Sequence, residues 1–120
     1  MAKLDPNALI NSIKDAAGGI LQQDVTTVTG FAQDQLTGIA QQAERIADME
    51  AMGVFKDNDE LRDHFVNNLE AISRNFVLTL EGLAALTAEK LWNAIVGIVW
   101  DAIGTATGVA LPLPVAGLFA

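Results

Sequence analysis

Cysteine and tyrosine are absent from this sequence, and histidine occurs only once. The lack of cysteine excludes disulfides and thiol nucleophiles. The one histidine, His64, has Glu60 one turn before it and Asp63 beside it, which is far short of a metal site. No serine–histidine–acid set and no glycine-rich phosphate loop with its lysine is present either. These gaps predict a protein that is not an enzyme and that carries no metal or cofactor.

Basic residues are also few: lysine and arginine total 7 against 15 aspartates and glutamates, for a net charge of −8. Binding to nucleic acid needs clustered positive charge, so we expect no nucleic-acid partner. The same acidity opposes electrostatic docking on anionic lipid. The N-terminal segment lacks the apolar core of a secretory signal. We therefore expect a chain that is made in the cytoplasm and then resides in an assembly or at a membrane.

Apolar residues recur at steps of three and four along most of the chain, which predicts helices. Two helix-start signals divide this pattern into two helices. One is Asp5 followed by Pro6, and the other is the run from Asp57 to Glu60, with Asp57 as the cap. No segment alternates as a strand would, so we predict an all-α fold. Residues 1–110 should form a long hairpin, with one helix at about 6–51, a turn at about 52–57 and a second helix at about 58–107. Residues 111–120 should form an extended apolar tail.

Each helix of such a hairpin would hold roughly 45 residues and extend about 65–70 Å. Two helices of this length shield only one side of each other, so the rod would need partners. The pair Gly18-Gly19 is the weak point of the first helix, where a kink would leave the hairpin intact. A break there or near Gly30 would instead give a compact three- or four-helix bundle. In the second helix, Glu70 and Arg74 are predicted to pair one turn apart on the exposed side.

The last thirty residues, LWNAIVGIVWDAIGTATGVALPLPVAGLFA, contain a single charged side chain, Asp101. From Leu91 to Ile103 the large apolar residues point to nearly all sides of the helix. Polar and small residues share one strip, formed by Lys90, Asn93, Gly97, Asp101, Gly104 and Gly108. A helix that is apolar almost all round is buried on most sides. Something other than the first helix should therefore cover it.

Lipid is one candidate for this cover. Residues 91–111 would span about 30 Å, the thickness of the hydrocarbon core of a bilayer. Gly104 and Gly108 form a GxxxG pair of the kind that lets membrane helices approach closely. Asp101 opposes this interpretation, because an acid at the centre of a membrane span costs about 2.5–3.5 kcal/mol.

A neighbouring copy of the chain is the other candidate. The two tryptophans are suited to anchor an interface. Pro112 and Pro114 prevent regular helix in the tail, and an apolar extended segment needs a groove that receives it. Such a tail, at the far end of a rod, would meet another copy more readily than its own chain.

We predict a non-enzymatic structural subunit that assembles with copies of itself, and possibly with other subunits, into a virion, tube or shell-like component. The alternative is a membrane-inserting helical hairpin, holin-like or pore-forming, with Asp101 lining the lumen. The residues predicted to contact another subunit or lipid are Leu91, Trp92, Ile95, Gly97, Ile98, Trp100, Asp101, Gly104, Gly108, Leu113 and Phe119.

Overall fold

The computed structural model describes residues 4–114 and 117–118. In this part of the chain there are four α-helices: α1 at Pro6–Leu21, α2 at Gln33–Ala51, α3 at Asp59–Thr79 and α4 at Ala85–Thr107. A short 3-10 helix at Val25–Thr27 lies between α1 and α2. No strand occurs among these residues, and the predicted all-α class is confirmed.

Side-chain caps explain where two of the helices begin. The carboxylate of Asp5 accepts hydrogen bonds from the backbone N–H groups of Asn7 at 3.0 Å and Ala8 at 3.4 Å, and proline follows at the first helical position. At α3 the cap is Asn58, whose Oδ1 accepts from the N–H of Leu61 at 3.2 Å. The predicted cap, Asp57, lies one residue too early and has a left-handed φ of 59°.

The predicted first helix is divided into α1 and α2. α1 passes through Gly18-Gly19 and ends at Leu21, after which Gln22 takes a left-handed conformation with φ of 57°. Gly30, with φ of +92°, lies where the connection passes the end of α3, and a Cβ there would overlap the carbonyl oxygen of Thr79. The chain therefore reverses direction close to the positions that the compact-bundle alternative named.

The predicted second helix is divided as well, into α3 and α4. The break covers residues 80–84 and includes Gly82, whose φ is +78°. Leu80 is buried and Leu83 is half-buried, so the apolar spacing continues through the turn although the helix does not. The structure thus differs from the predicted two-helix hairpin, and its longest dimension is 43 Å instead of the expected 65–70 Å.

The four helices form a bundle in which helices that follow one another in the chain run antiparallel, whereas α2 and α4 pack side by side in the same direction. The start of α1 lies beside the end of α4, the start of α2 lies beside the end of α3, and Arg74 near the end of α3 lies over Trp92 in the first half of α4. Helix α4 packs against all three others. The radius of gyration is 14.1 Å, close to the roughly 14 Å of a globular domain of this length.

Candidate interaction site

The apolar residues of α4 lie inside the bundle of the same chain. Leu91 and Ile95 are fully buried, Trp92 is 1% exposed and Trp100 is 3% exposed. The cover that the sequence required is supplied by α1, α2 and α3 together, because the two breaks let three helices surround α4. Within this bundle these four residues are core residues and present no surface to a neighbour.

The strip of polar and small residues on α4 faces solvent. Asn93, Gly97 and Asp101 are exposed, Gly104 is half-buried, and Ile98 at the side of the strip is half-buried. A Cβ built on Gly97 would meet no other heavy atom within 4 Å, so no helix of the described chain approaches this point closely. Among the described residues, the strip from Asn93 to Asp101 is therefore an open surface of the bundle.

The GxxxG pair ends the helix. Gly108 is the C-cap of α4 with a left-handed φ of 75°, and its N–H donates to the carbonyl oxygen of Gly104 at 2.8 Å. A glycine is favoured at such a position because it adopts positive φ without steric cost. This role accounts for Gly108 without a close approach of another helix.

The segment after α4 returns to the bundle surface. Leu111 is buried, Leu118 is 2% exposed, and Leu113 between them is 62% exposed. The indole Nε1–H of Trp100 donates to the carbonyl oxygen of Pro112 at 3.1 Å. Phe119, the last of the predicted contact residues, lies outside the described part of the chain. We refer to residues 111–114 and 117–118 as the tail.

Two charged side chains hold the end of the tail by its backbone. One nitrogen of Arg74 donates to the carbonyl oxygens of Gly117 at 2.8 Å and Leu118 at 2.9 Å. The carboxylate of Glu89 accepts the N–H of Leu118 at 3.0 Å. We call Arg74, Glu89 and Trp100 the tail clasp. A Cβ on Gly117 would lie 2.9 Å from a carboxylate oxygen of Glu89, so glycine suits this close approach.

The guanidinium of Arg74 is held in place from two further sides. Its Cζ lies 4.9 Å from the centre of the Trp92 ring, and a nitrogen lies 3.8 Å from the carboxylate of Glu70. The predicted Glu70–Arg74 pair is therefore present, but it is half-buried instead of lying on the exposed side as predicted. Its side chains are 31% and 21% exposed, and the charge-assisted bonds of Arg74 to the tail are shorter than its contact with Glu70.

The clasp binds the tail through its backbone. Arginine supplies several donors in a fixed plane, and here they meet two successive carbonyl groups. The side chains of Leu111 and Leu118 supply the apolar anchors. No local sequence pattern indicates this site, because Arg74 and Leu118 are 44 residues apart.

Two open grooves border α4 and the tail. One, of about 430 Å³, lies between the start of α1 and the end of α4 and includes the exposed carboxylates of Asp5 and Asp101. Another, of about 310 Å³, lies between α3 and the tail, with Asn67 and Leu113 in its walls. No group of three or more metal-ligating side chains occurs in residues 4–114 and 117–118.

Comparison with protein-family models, with curated proteins and with solved structures finds no match for this chain. Among the described helices, none combines the length and the apolar character needed to cross a bilayer.

Proposed function

We propose that this protein is a non-enzymatic structural subunit that associates with copies of itself, and possibly with other subunits, in a virion, tube or shell-like assembly. The observation that carries the proposal is the tail, an apolar segment outside the helices that docks on the bundle through its backbone. A compact body with a docking segment of this kind can associate with copies of itself, because the segment of one subunit can bind the body of another.

Large apolar side chains on the surface give further support. Leu86 at the start of α4 is 79% exposed, Met52 after α2 is 72% exposed, and Leu78 near the end of α3 is exposed as well. Leu78 and Leu86 flank the same connection, so both lie at one end of the bundle. Covering such side chains with another copy would stabilise the contact by about 25 cal/mol for each Å² of apolar area removed from water.

Sedimentation velocity from micromolar to millimolar concentration tests the proposal. We expect the sedimentation coefficient to rise with concentration, and Leu86→Glu to weaken the rise because a carboxylate opposes burial. Asn11→Glu, which adds the same charge at an exposed position of α1, is the matched control. A chain that stays monomeric across the whole range would contradict the proposal.

One observation favours a second candidate, a membrane-inserting, holin-like or pore-forming protein. Helix α4 has the highest mean hydropathy of the four helices, and the other three pack against its apolar side. A bundle of this kind could carry an apolar helix in water and release it at a bilayer, where Asp101 would face a lumen.

Leakage of dye from liposomes tests this candidate. A pore would make the vesicles leak, and Asp101→Asn would change ion permeability while insertion continued. Vesicles that stay intact at every protein concentration would remove the candidate.

A further inference from the structure

We infer that the tail groove, the surface of α3 and α4 formed by Arg74, Glu89 and Trp100, also takes up the tail of a second copy, so that neighbouring subunits exchange tails. This inference rests on the proposed self-association and names the contact that produces it. The occupant is known from the structure itself, because the tail is the segment that already fills the groove.

The contacts that hold the tail do not depend on its covalent connection to α4. The polar ones join side chains of α3 and α4 to backbone atoms of Pro112, Gly117 and Leu118. The apolar ones place Leu111 and Leu118 in the core. A tail from another copy presents the same backbone and the same two leucines, so it can form the same set of contacts.

The connection between α4 and the tail has the character of a hinge. Gly108, Val109 and Ala110 are all exposed, and Gly108 already has a left-handed backbone. The hydrogen bonds of Val109 are local, since its N–H and carbonyl both meet the hydroxyl of Thr107. Three residues reach about 10 Å when extended. Redirecting the tail therefore disturbs few contacts of the bundle.

Concentration decides which groove the tail occupies. A free tail would expose Leu111 and Leu118 to water, so it binds either its own groove or that of a neighbour. A short flexible connection gives the tail an effective concentration in the millimolar range at its own groove. Dilute chains therefore keep their own tails, and subunits crowded in an assembly exchange them. Reciprocal exchange closes a dimer, whereas exchange in one direction links subunits into an open chain.

Disulfide trapping tests the exchange, because the natural chain has no cysteine. Asn67→Cys on α3 and Leu113→Cys on the tail place thiols in the walls of one groove, at exposed positions. The two single variants are mixed in equal amounts at millimolar concentration and oxidised. We expect the 67–113 heterodimer to exceed that of a control pair, Asn11→Cys with Leu113→Cys, by at least about tenfold, and the excess to disappear on dilution.

Shortening the hinge tests the same point in another way. Deleting Val109 and Ala110 puts the groove out of reach of the chain's own tail, so the variant should form dimers even at micromolar concentration. Inserting glycine and serine after Ala110 instead keeps the tail within reach, and this variant should remain monomeric when dilute. Circular dichroism checks that both variants keep their helices.

Two results would overturn the inference. In the first, the natural chain forms oligomers but the cysteine variants give no excess of the 67–113 heterodimer. Self-association would then use another surface, and the proposed function would still hold. A chain that is monomeric at every concentration and gives no heterodimer would remove the exchange and the proposed function together. The trapping experiment decides between these results even if the hinge deletion prevents folding, because it uses the full-length chain.

Discussion

Among individual side chains, Ser73 is unusual because it is completely buried in α3 and its hydroxyl has no hydrogen-bond partner in the described part of the chain. A buried polar group without a partner costs about 1–3 kcal/mol of stability, because it gives up its hydrogen bonds to water. The apolar spacing of α3 does not distinguish this serine from the exposed polar residues around it.

Replacing Ser73 with alanine should leave the free energy of unfolding unchanged or raise it by about 1 kcal/mol, because the substitution removes an unsatisfied group and little volume. Urea denaturation measures the change. Ser12→Ala, at an exposed position of α1, is the control and should have little effect. A loss of stability well above the control would mean that the hydroxyl of Ser73 forms a hydrogen bond in solution.

Asp24 at the start of the 3-10 helix has a pKa below its ordinary value. The main cause is the hydrogen bond from the hydroxyl of Thr26 at 2.7 Å, and the backbone N–H of Thr26 adds a second at 2.9 Å. Both bonds favour the ionised carboxylate. Because the folded-state pKa is lowered, the stabilisation is present above the pKa of the unfolded chain and is lost as pH falls through the folded-state pKa.

Thr26→Val should raise the pKa of Asp24 toward its ordinary value, because the hydroxyl donor is removed while the backbone donor remains. Carboxyl-carbon NMR during an acid titration measures the pKa directly. Thr27→Val is the matched control, since the hydroxyl of Thr27 donates to the backbone oxygen of Asp24 instead of its carboxylate. Equal pKa values for Asp24 in the natural chain and in Thr26→Val would contradict this explanation.

Among the connections between helices, the loop from α1 to α2 depends on Gly30. Its φ of +92° and its contact with the backbone at Thr79 both exclude a side chain. The N–H of Glu81 donates to the carbonyl oxygen of Thr29 at 2.8 Å, which joins this loop to the α3–α4 connection. The loops at the two breaks are thus joined by a backbone hydrogen bond at one end of the bundle, and this contact stabilises both of them.

Gly30→Ala should lower the free energy of unfolding by at least about 2 kcal/mol, because the new methyl group strains the backbone and displaces the end of α3. Gly38→Ala provides the contrast: it lies inside α2 with nothing within 4 Å of the added carbon, and alanine there should stabilise by about 0.5–1 kcal/mol. Thermal unfolding of both variants measures the difference. Similar changes in the two variants would contradict the close packing of this loop.

The sequence predicted the helical class and the capped start of α1, because both depend on local spacing and on neighbouring residues. It located the first break only as an alternative, since a helix tolerates Gly18-Gly19 and continues to Leu21. The second break was missed. Leu80 and Leu83 keep the apolar spacing of three and four across the turn, and Gly82 was the one local signal against a continuous helix.

At the scale of the whole chain, the missed turn between α3 and α4 determines what covers the apolar surface of α4. The inference that α4 must be covered on most sides agrees with the burial of Leu91, Trp92, Ile95 and Trp100. Three helices of one chain provide the cover, so this burial gives no support to a second copy. Gly97, Ile98, Asp101 and Leu113 keep some exposure, and their contact with a partner stays a prediction.

The tail is the part of the candidate site that local sequence reasoning could not place. Pro112 and Pro114 predicted that the segment leaves the helix, and its apolar character predicted a receiving groove. The partners of the tail are Arg74, Glu89 and Trp100, at separations of 12 to 44 residues in the chain. Contacts over such distances follow from the arrangement of the helices, which the apolar spacing does not specify.

Hydrogen exchange of the Trp100 indole in a dilute, monomeric sample tests most directly whether the tail docks on its own bundle. Because this N–H donates to Pro112, we predict an NMR signal that exchanges slowly in the natural chain and faster in Arg74→Met, where the tail loses its charged donor. Arg62→Met, which removes the ion pair between the half-buried Arg62 and the exposed Asp59 but no hydrogen bond to the tail, should leave the slow exchange intact. An indole N–H of Trp100 that exchanges as fast as a solvent-exposed one in the natural chain would contradict the docked tail and the account built on it.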